Sequence, residues 1–306
     1  MLHLKRSYLW LVLTLQVSAQ AFAAEPSVSS VSANGAAVAL LGRASPQVFL
    51  RQLDAVDIAG RAQLTSAEIV RYDHISQRLY VVNSEQARVE VFALSLDPAK
   101  QLRLAHLATY DVGLKLAGWL EDLGQQPKLA STTSLDVLPS QDLLAVAVTA
   151  VKPGNGYVAF LRASDGELIN AVQVGALPDM LAFTPDGTRL VVANEGEPTK
   201  KYTIDPPGSV SIITLPKQSD AKDLAGLSAS TIELADQGAE LAVGVRLSGP
   251  GANPATDLEP EYIAISKDSQ FAYVGLQENN AIAIIDLADS SVSRIWSLGA
   301  KNLRES

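Results

Sequence analysis

Three features of the chain predict an all-β fold of repeated four-stranded antiparallel units. The first is a strand-turn-strand phrase with recurring punctuation. It runs Ile69-Val70-Arg71-Tyr72-Asp73 to Arg78–Asn83, again Leu181–Gly187 to Arg189–Asn194, and again Ile263–Asp268 to Ala272–Leu276. Each copy joins two alternating apolar runs across a polar turn, and self-similarity at tens of residues marks repeat architectures. The second is that further alternating runs follow the first pair, Val89–Leu94 and Leu102–Tyr110, which brings the unit to four strands. The third is that a second set of runs, Ser134–Leu138, Leu143–Val148, Tyr157–Leu161 and Ile169–Val174, repeats the count. Four antiparallel strands per unit is the make-up of a β-propeller blade. About four such blades are countable before the chain stops, so the expected object is an incomplete ring.

The units follow in order. The first spans residues 67–110. Leu116, Trp119, Leu120 and Leu123 then fall at i, i+3, i+4, i+7 with Gly124 behind them, which predicts a short amphipathic helix between blades. The second unit runs from Ser134–Leu138 through Leu143–Val148, Tyr157–Leu161 and Ile169–Val174. The cluster Pro153-Gly154-Asn155-Gly156 reads as a hairpin connection because Gly and Asn tolerate positive φ. The third begins at Pro178 and carries an insertion from Asn194 to Ser209 between its second and third strands, then a polar stretch from Lys217 to Asn253 with a short helix expected near Gln237–Val243. The last is Pro260–Leu298, and residues 300–306 form a polar tail. An arc of four blades exposes sheet faces and edges, so the chain reads as truncated or split, closing its ring through remaining blades or a second chain.

Ahead of the repeats, Lys5 and Arg6 precede an uncharged apolar run from Ser7 to Ala23 that ends Ala21-Phe22-Ala23. That order is a secretory signal, residues 1–23, cleaved after Ala23 or Ala24; a membrane anchor is the other reading, for which the apolar length falls short of the ~20 residues of a spanning helix. Residues 24–66 read as a flexible segment with short strands at Val38–Leu41 and Val48–Leu50. No later run is apolar enough to span a bilayer, and the expected location is secreted or periplasmic.

Losing the two cations of the signal takes the formal charge from −9 to −11. An acidic surface repels phosphate backbones, which argues against nucleic acid as a partner and leaves a protein or cell-surface ligand. The chain has no cysteine, so it is stable without disulfides, and thiolate metal sites and cysteine nucleophiles are excluded. His74 and His106 are the histidines beyond the signal, too few for a usual zinc or copper centre. No GxSxG elbow, HExxH or phosphate-binding glycine loop is present.

Two acidic clusters sit in loops at strand entries: Glu195, Glu197 and Asp205, and Asp257, Glu259 and Glu261. Carboxylates with loop carbonyls suit a hard cation, and calcium is the cofactor they point to. The plainer reading is a set of solvated loop carboxylates that cap turns and hydrogen-bond backbone amides, and no DxDxDG loop supports the metal reading. Pro198, Pro206, Pro207 and Pro260 stiffen both loops.

Longer motifs carry a resemblance. Leu177–Gly187, Ala193–Pro198, Tyr202–Pro206 with Gly208–Ile212, Asp257–Ala264 and Leu276–Ala281 together resemble the choice-of-anchor I family of exported bacterial proteins. That family is similar to the mesenchyme-specific cell surface glycoprotein of animals and sits among the YVTN/WD40-like propellers. The likeness covers about residues 67–299. It implies an extracellular or periplasmic propeller, in many members displayed through interchangeable C-terminal anchors, with a phosphatase or phytase-like label on some. The function expected is a binding or display module with no catalytic residue assigned. The alternative is a calcium-dependent phosphoric ester hydrolase, with Lys200, Lys201 and Arg246 as phosphate partners.

Overall fold

The computed structural model describes residues 67–299 apart from short breaks at 97, 99–101, 152–153, 217–223, 235–243 and 249–252. The expected signal, the segment 24–66, the helix near Gln237–Val243 and the tail 300–306 lie outside the described residues.

Alternation of apolar and polar residues drives each unit into a four-stranded antiparallel meander. Blade 1 is β1 (Ala67–Asp73), β2 (Arg78–Asn83), β3 (Arg88–Leu96) and β4 (Leu102–Tyr110), paired in that order. Blade 2 is β5 (Leu129–Leu138), β6 (Leu143–Ala150), β7 (Asn155–Arg162) and β8 (Leu168–Ala176). Blade 3 is β9 (Pro178–Phe183), β10 (Arg189–Asn194), β11 (Ser209–Thr214) and β12 (Ala229–Glu233). Blade 4 is β13 (Pro260–Ile265), β14 (Phe271–Leu276), β15 (Ala281–Asp286) and β16 (Ser291–Ser297). The strand β12, embedded in the stretch 217–253, has the burial pattern of an edge with Ile232 alone fully inside, which is why its sequence looks like loop.

The sheets stand face against face. β1 lies beside β5, β5 beside β9 and β9 beside β13, so the first strand of each blade is innermost. Three apolar clusters fill the gaps between successive blades. Tyr80, Val82 and Val89 meet Leu144, Val146 and Leu161 between blades 1 and 2. Leu143, Phe160 and Val172 meet Leu181, Leu190 and Ile213 between blades 2 and 3. Met180, Val191 and Ile212 meet Ile263, Val274 and Ile285 between blades 3 and 4. Strand β6 (LLAVAVTA) is buried along its whole length, as expected of a strand covered on both faces. Among the described residues no cluster joins blade 4 back to blade 1, and the arc does not close.

The helix α1 (Val112–Asp122) forms where the spacing places it. Asp111 caps it by accepting from Leu114 N, and Val112, Leu116 and Leu120 are its buried face. Leu123, expected on that face, is instead the C-cap and is 60% exposed; Gly124 follows at φ +73°. Gly156, expected to serve the hairpin connection, is needed for a different reason from the one expected. Gly156 has no positive φ. A Cβ there would sit 2.3 Å from Pro178 Cδ and 2.7 Å from the Val148 carbonyl, so the requirement is close approach to the next blade.

Polar ties register the innermost strands. Asp136 on β5 accepts from Arg71 Nε on β1 at 3.0 Å and from Phe183 N on β9 at 2.9 Å, spanning three blades. Thr132 and Thr133 donate to the carbonyls of Asn83 and Pro178. Burial raises the Asp136 carboxyl while Arg71 opposes the shift. Truncation of a partly buried ion pair leaves its partners unpaired at a cost of a few kcal/mol. Asp136→Ala is therefore expected to lose about 2–3 kcal/mol of stability in urea unfolding, and Asp136→Asn, which keeps an acceptor for Phe183 N, to lose clearly less.

Candidate functional site

Aligning the innermost strands on their buried aliphatics Val70, Leu135, Leu181 and Ile263 sets Glu68, Thr133, Asp179 and Glu261 at one position, two residues earlier. Since these strands line the axis of the arc, Glu68, Asp179 and Glu261 gather at one end of it. The turns after the second strands of blades 3 and 4 add Glu195, one residue past β10, and Glu278, two past β14.

The loops flanking these strands are held close by glycine and asparagine. Gly208, before β11, packs so tightly on the loop before β13 that a Cβ would stand 1.9 Å from the Leu258 carbonyl. Gly196, at φ +72°, faces the backbone of Pro206–Gly208, which folds the insertion back on itself. Asn279 is fully buried. Its Nδ2 donates to the carbonyls of Arg246 and Asp257, and its Oδ1 accepts from Glu259 N at 3.1 Å. One amide thus fixes the loop that carries Asp257 and Glu259. A buried amide with three backbone partners leaves them unsatisfied when truncated, so Asn279→Ala is expected to cost about 2–3 kcal/mol in thermal or urea unfolding.

All six carboxylates singled out in the sequence fall in one electrostatic neighbourhood. The Glu195 carboxyl is pushed up to about 8, first by burial and then by the charges of Asp179, Glu197, Glu259 and Glu278. Glu259 is pushed up to about 7 by burial and by Glu278, Asp257, Glu197 and Asp205. Glu261 is pushed up to about 9 by burial and by a hydrogen bond and charge repulsion from Glu278. Asp179 reaches about 6 through burial and the charges of Glu68 and Glu278, and burial raises Glu68. The Oδ1 of Asp205 and the Oε2 of Glu278 are buried with no hydrogen-bond partner. The Asp257 carboxylate accepts from Ser248 N at 2.7 Å.

Nearby carboxylates that share no cation retain protons, and the Glu261–Glu278 hydrogen bond requires one. Among the described residues no three of these groups stand at metal-ligand spacing. Asp179, Glu278 and Glu68 were missed in the sequence because each is a single acid inside or just after an apolar strand. Their shared offset from the buried aliphatic is the signal that finds them. His106 lies elsewhere, on β4, with Nε2 2.9 Å from Glu90. Of the cations offered as phosphate partners, Lys200 and Lys201 are exposed, and Arg246 Nε donates to the Glu278 carbonyl.

The sign of the pH dependence follows directly. Folded carboxyl values above the unfolded ones mean that the folded state binds more protons between about pH 4.5 and 9, so stability falls as pH rises through that window. Melting measured from pH 5 to pH 9 is expected to show this fall. Glu195→Gln and Glu261→Gln should each raise Tm at pH 9 by about 2–4 °C, the response of a domain of this size to 1 kcal/mol, and leave Tm at pH 5 nearly unchanged.

No curated protein matches the chain. Among solved structures it is similar to hydrazine synthase of Kuenenia stuttgartiensis, at 14% identity over 74% of this chain and 61% of that one with a TM-score of 0.45. It is also similar to the β-propeller domain of Cps50 (Swd1) from Myceliophteria thermophila, at 14% identity over 77% of this chain and 60% of that one, TM-score 0.47. A putative 6-phosphogluconolactonase from Bacteroides fragilis matches at 18% identity over 76% of this chain and 57% of that one, TM-score 0.44. The chain thus spans about three-fifths of the length of these structures. No described helix is long and apolar enough to cross a membrane. The model of the choice-of-anchor I domain matches residues 68–306, and with these motifs on the innermost strands and their loops, the chain belongs to the choice-of-anchor I family.

Proposed function

We propose that the protein is an exported binding and display module whose acidic axial mouth receives a cationic group, with calcium as the ion best suited to it. The observation that supports this reading is the convergence of carboxylates from blades 1, 3 and 4, where burial and mutual charge push Asp179, Glu195, Glu259 and Glu261 above the ordinary carboxylate range. Hard cations take carboxylate and carbonyl oxygens, and binding to carboxylates requires their deprotonation. A cation arriving here displaces protons from Glu195, Glu259 and Glu261 and draws the side chains inward. The insertion carrying Glu197 and Asp205 is closed on itself by the turn contacts of Thr199–Ile204. A cell-surface or protein ligand then meets the mouth either through the bound ion or through its own amines. The export signal in residues 1–23 supports the extracellular setting, where millimolar-range calcium sites are useful. Nothing in the cluster activates a nucleophile, and the module is assigned no catalytic step.

A calcium titration followed by melting tests this. A ligand bound only by the folded state raises stability, by about 2.7 kcal/mol at a hundredfold excess over Kd. Tm is expected to rise with calcium at pH 8, to lose that rise at pH 5, and to lose it at pH 8 in Glu259→Gln. An unchanged Tm across the titration at pH 8 contradicts the calcium assignment. Chelator-sensitive turnover of a chromogenic phosphate ester, abolished by Glu259→Gln, contradicts the non-catalytic reading.

A further inference from the structure

The insertion between β10 and β11 carries a tip that no other part of the molecule covers. Lys200, Lys201, Tyr202, Thr203 and Ile204 are exposed in succession, Tyr202 at 49% and Ile204 at 47%. Blade 3 bears them, and blades 2 and 4 close on both of its faces, so this exposure is a property of the loop and is independent of where the arc stops. The tip is also held in one shape. Thr199 N donates to the Ile204 carbonyl at 2.9 Å, Tyr202 N to the Thr199 carbonyl at 2.7 Å and Ile204 N to Thr199 Oγ1 at 3.2 Å, while Pro198, Pro206 and Pro207 stiffen the stems.

One residue does not suit a plain turn. Tyr202 sits at φ +53°, in the left-handed region that glycine enters freely and that crowds the Cβ of any other residue. The fold therefore holds a large, half-exposed ring where glycine would be more stable, and strain of this kind is tolerated where the side chain has a use outside its own turn.

Charge narrows what that use is. The chain carries −9 overall, yet no acid lies between Glu197 and Asp205, and the tip holds two adjacent lysines. Neither lysine is engaged by an ion pair among the described residues. Paired ammonium groups beside a Tyr and an Ile match an anionic lipid surface, where phenol rings favour the boundary of water and hydrocarbon, lysines reach the phosphate headgroups and an aliphatic side chain enters the acyl edge. The backbone agrees with that partner. Because the N–H groups of Thr199, Tyr202 and Ile204 and the carbonyls of Thr199 and Ile204 are already paired, the tip can enter a poorly hydrated layer without stranding them. The same pairing leaves the main chain of a bound peptide little to join. We infer that residues 199–204 form a docking loop that seats the exported chain peripherally on an anionic membrane surface, with Tyr202 and Ile204 in the interface and Lys200 and Lys201 on the headgroups. This docking does not rest on the calcium assignment.

Vesicle co-sedimentation of residues 24–306, the chain without its expected signal, tests the inference, with chelator present so that calcium takes no part. Binding is expected to vesicles of phosphatidylglycerol mixed with phosphatidylcholine, and it should weaken as salt rises. On phosphatidylcholine alone it should be about 30-fold weaker, two lysines at about fivefold each. Lys200→Gln combined with Lys201→Gln should cost about the same factor on the mixed vesicles. Tyr202→Gly should lower partitioning about tenfold while raising Tm by about 2 °C as the strained φ is released. Inorganic phosphate at matched ionic strength should not compete, because the loop reads a surface and not a single anion. Absence of binding to either vesicle overturns the inference and hands the tip to a protein partner. Equal binding to both vesicles, competition by phosphate, or binding unchanged in the variants also overturns it. So does a fall in Tm with Tyr202→Gly, since the ring would then be a packing element of the fold.

Discussion

The structure depends on the burial of aliphatic side chains between successive sheets. A blade of four strands has two faces and can bury neither alone, so each is stable only against its neighbours. Each fully buried Val, Leu or Ile contributes about 1.5–3 kcal/mol, and each of the three inter-blade clusters holds more than a dozen buried residues. A polar tie such as Asp136 with Arg71 contributes about 1–3 kcal/mol. Hydrophobic burial therefore sets the stacking, and the ties set its register. With no cysteine in the chain, no covalent staple shares that work.

Stacking sheets radially has an unavoidable consequence at the axis. Residues at one position of the innermost strand converge even though tens of residues separate them in sequence. In this chain that position holds Glu68, Asp179 and Glu261, and the adjacent turns add Glu195 and Glu278. Mutual repulsion and burial oppose ionisation there, so the fold stores an electrostatic strain that is relieved by protons or by a cation. The stability supplied by the aliphatic clusters holds the carboxylates together, a form of local cost tolerated at functional sites.

Much of the architecture was legible in the sequence because the strands alternate cleanly and the turns repeat. The run Val89–Leu94, the insertion 194–209 and the helix over Leu116–Leu120 follow from periodicity alone. The strand β12 did not, because an edge strand with one buried residue carries almost no alternation. The role of Gly156 was likewise hidden, since close packing against Pro178 and the carbonyl of Val148 is a tertiary constraint, unlike a positive φ. Of the site, the two loop clusters stood out as dense acids. Asp179 and Glu278 did not, because a lone acid in an apolar strand gains meaning only once the neighbouring blade brings others beside it. Asn279 sits in the turn between β14 and β15, and its buried amide shows its purpose only when Arg246 and Asp257 are in place.

The convergence of carboxylates on the axis is the claim that joins fold to function, and carboxyl-resolved NMR titration of Glu195 and Glu261 addresses it most directly. Radially arrayed blades predict apparent midpoints near 8 and 9 in cation-free buffer. Midpoints near 4.5, the ordinary glutamate value, would show that these side chains stand apart in solvent, and would contradict both the assembled mouth and the arrangement of sheets that creates it.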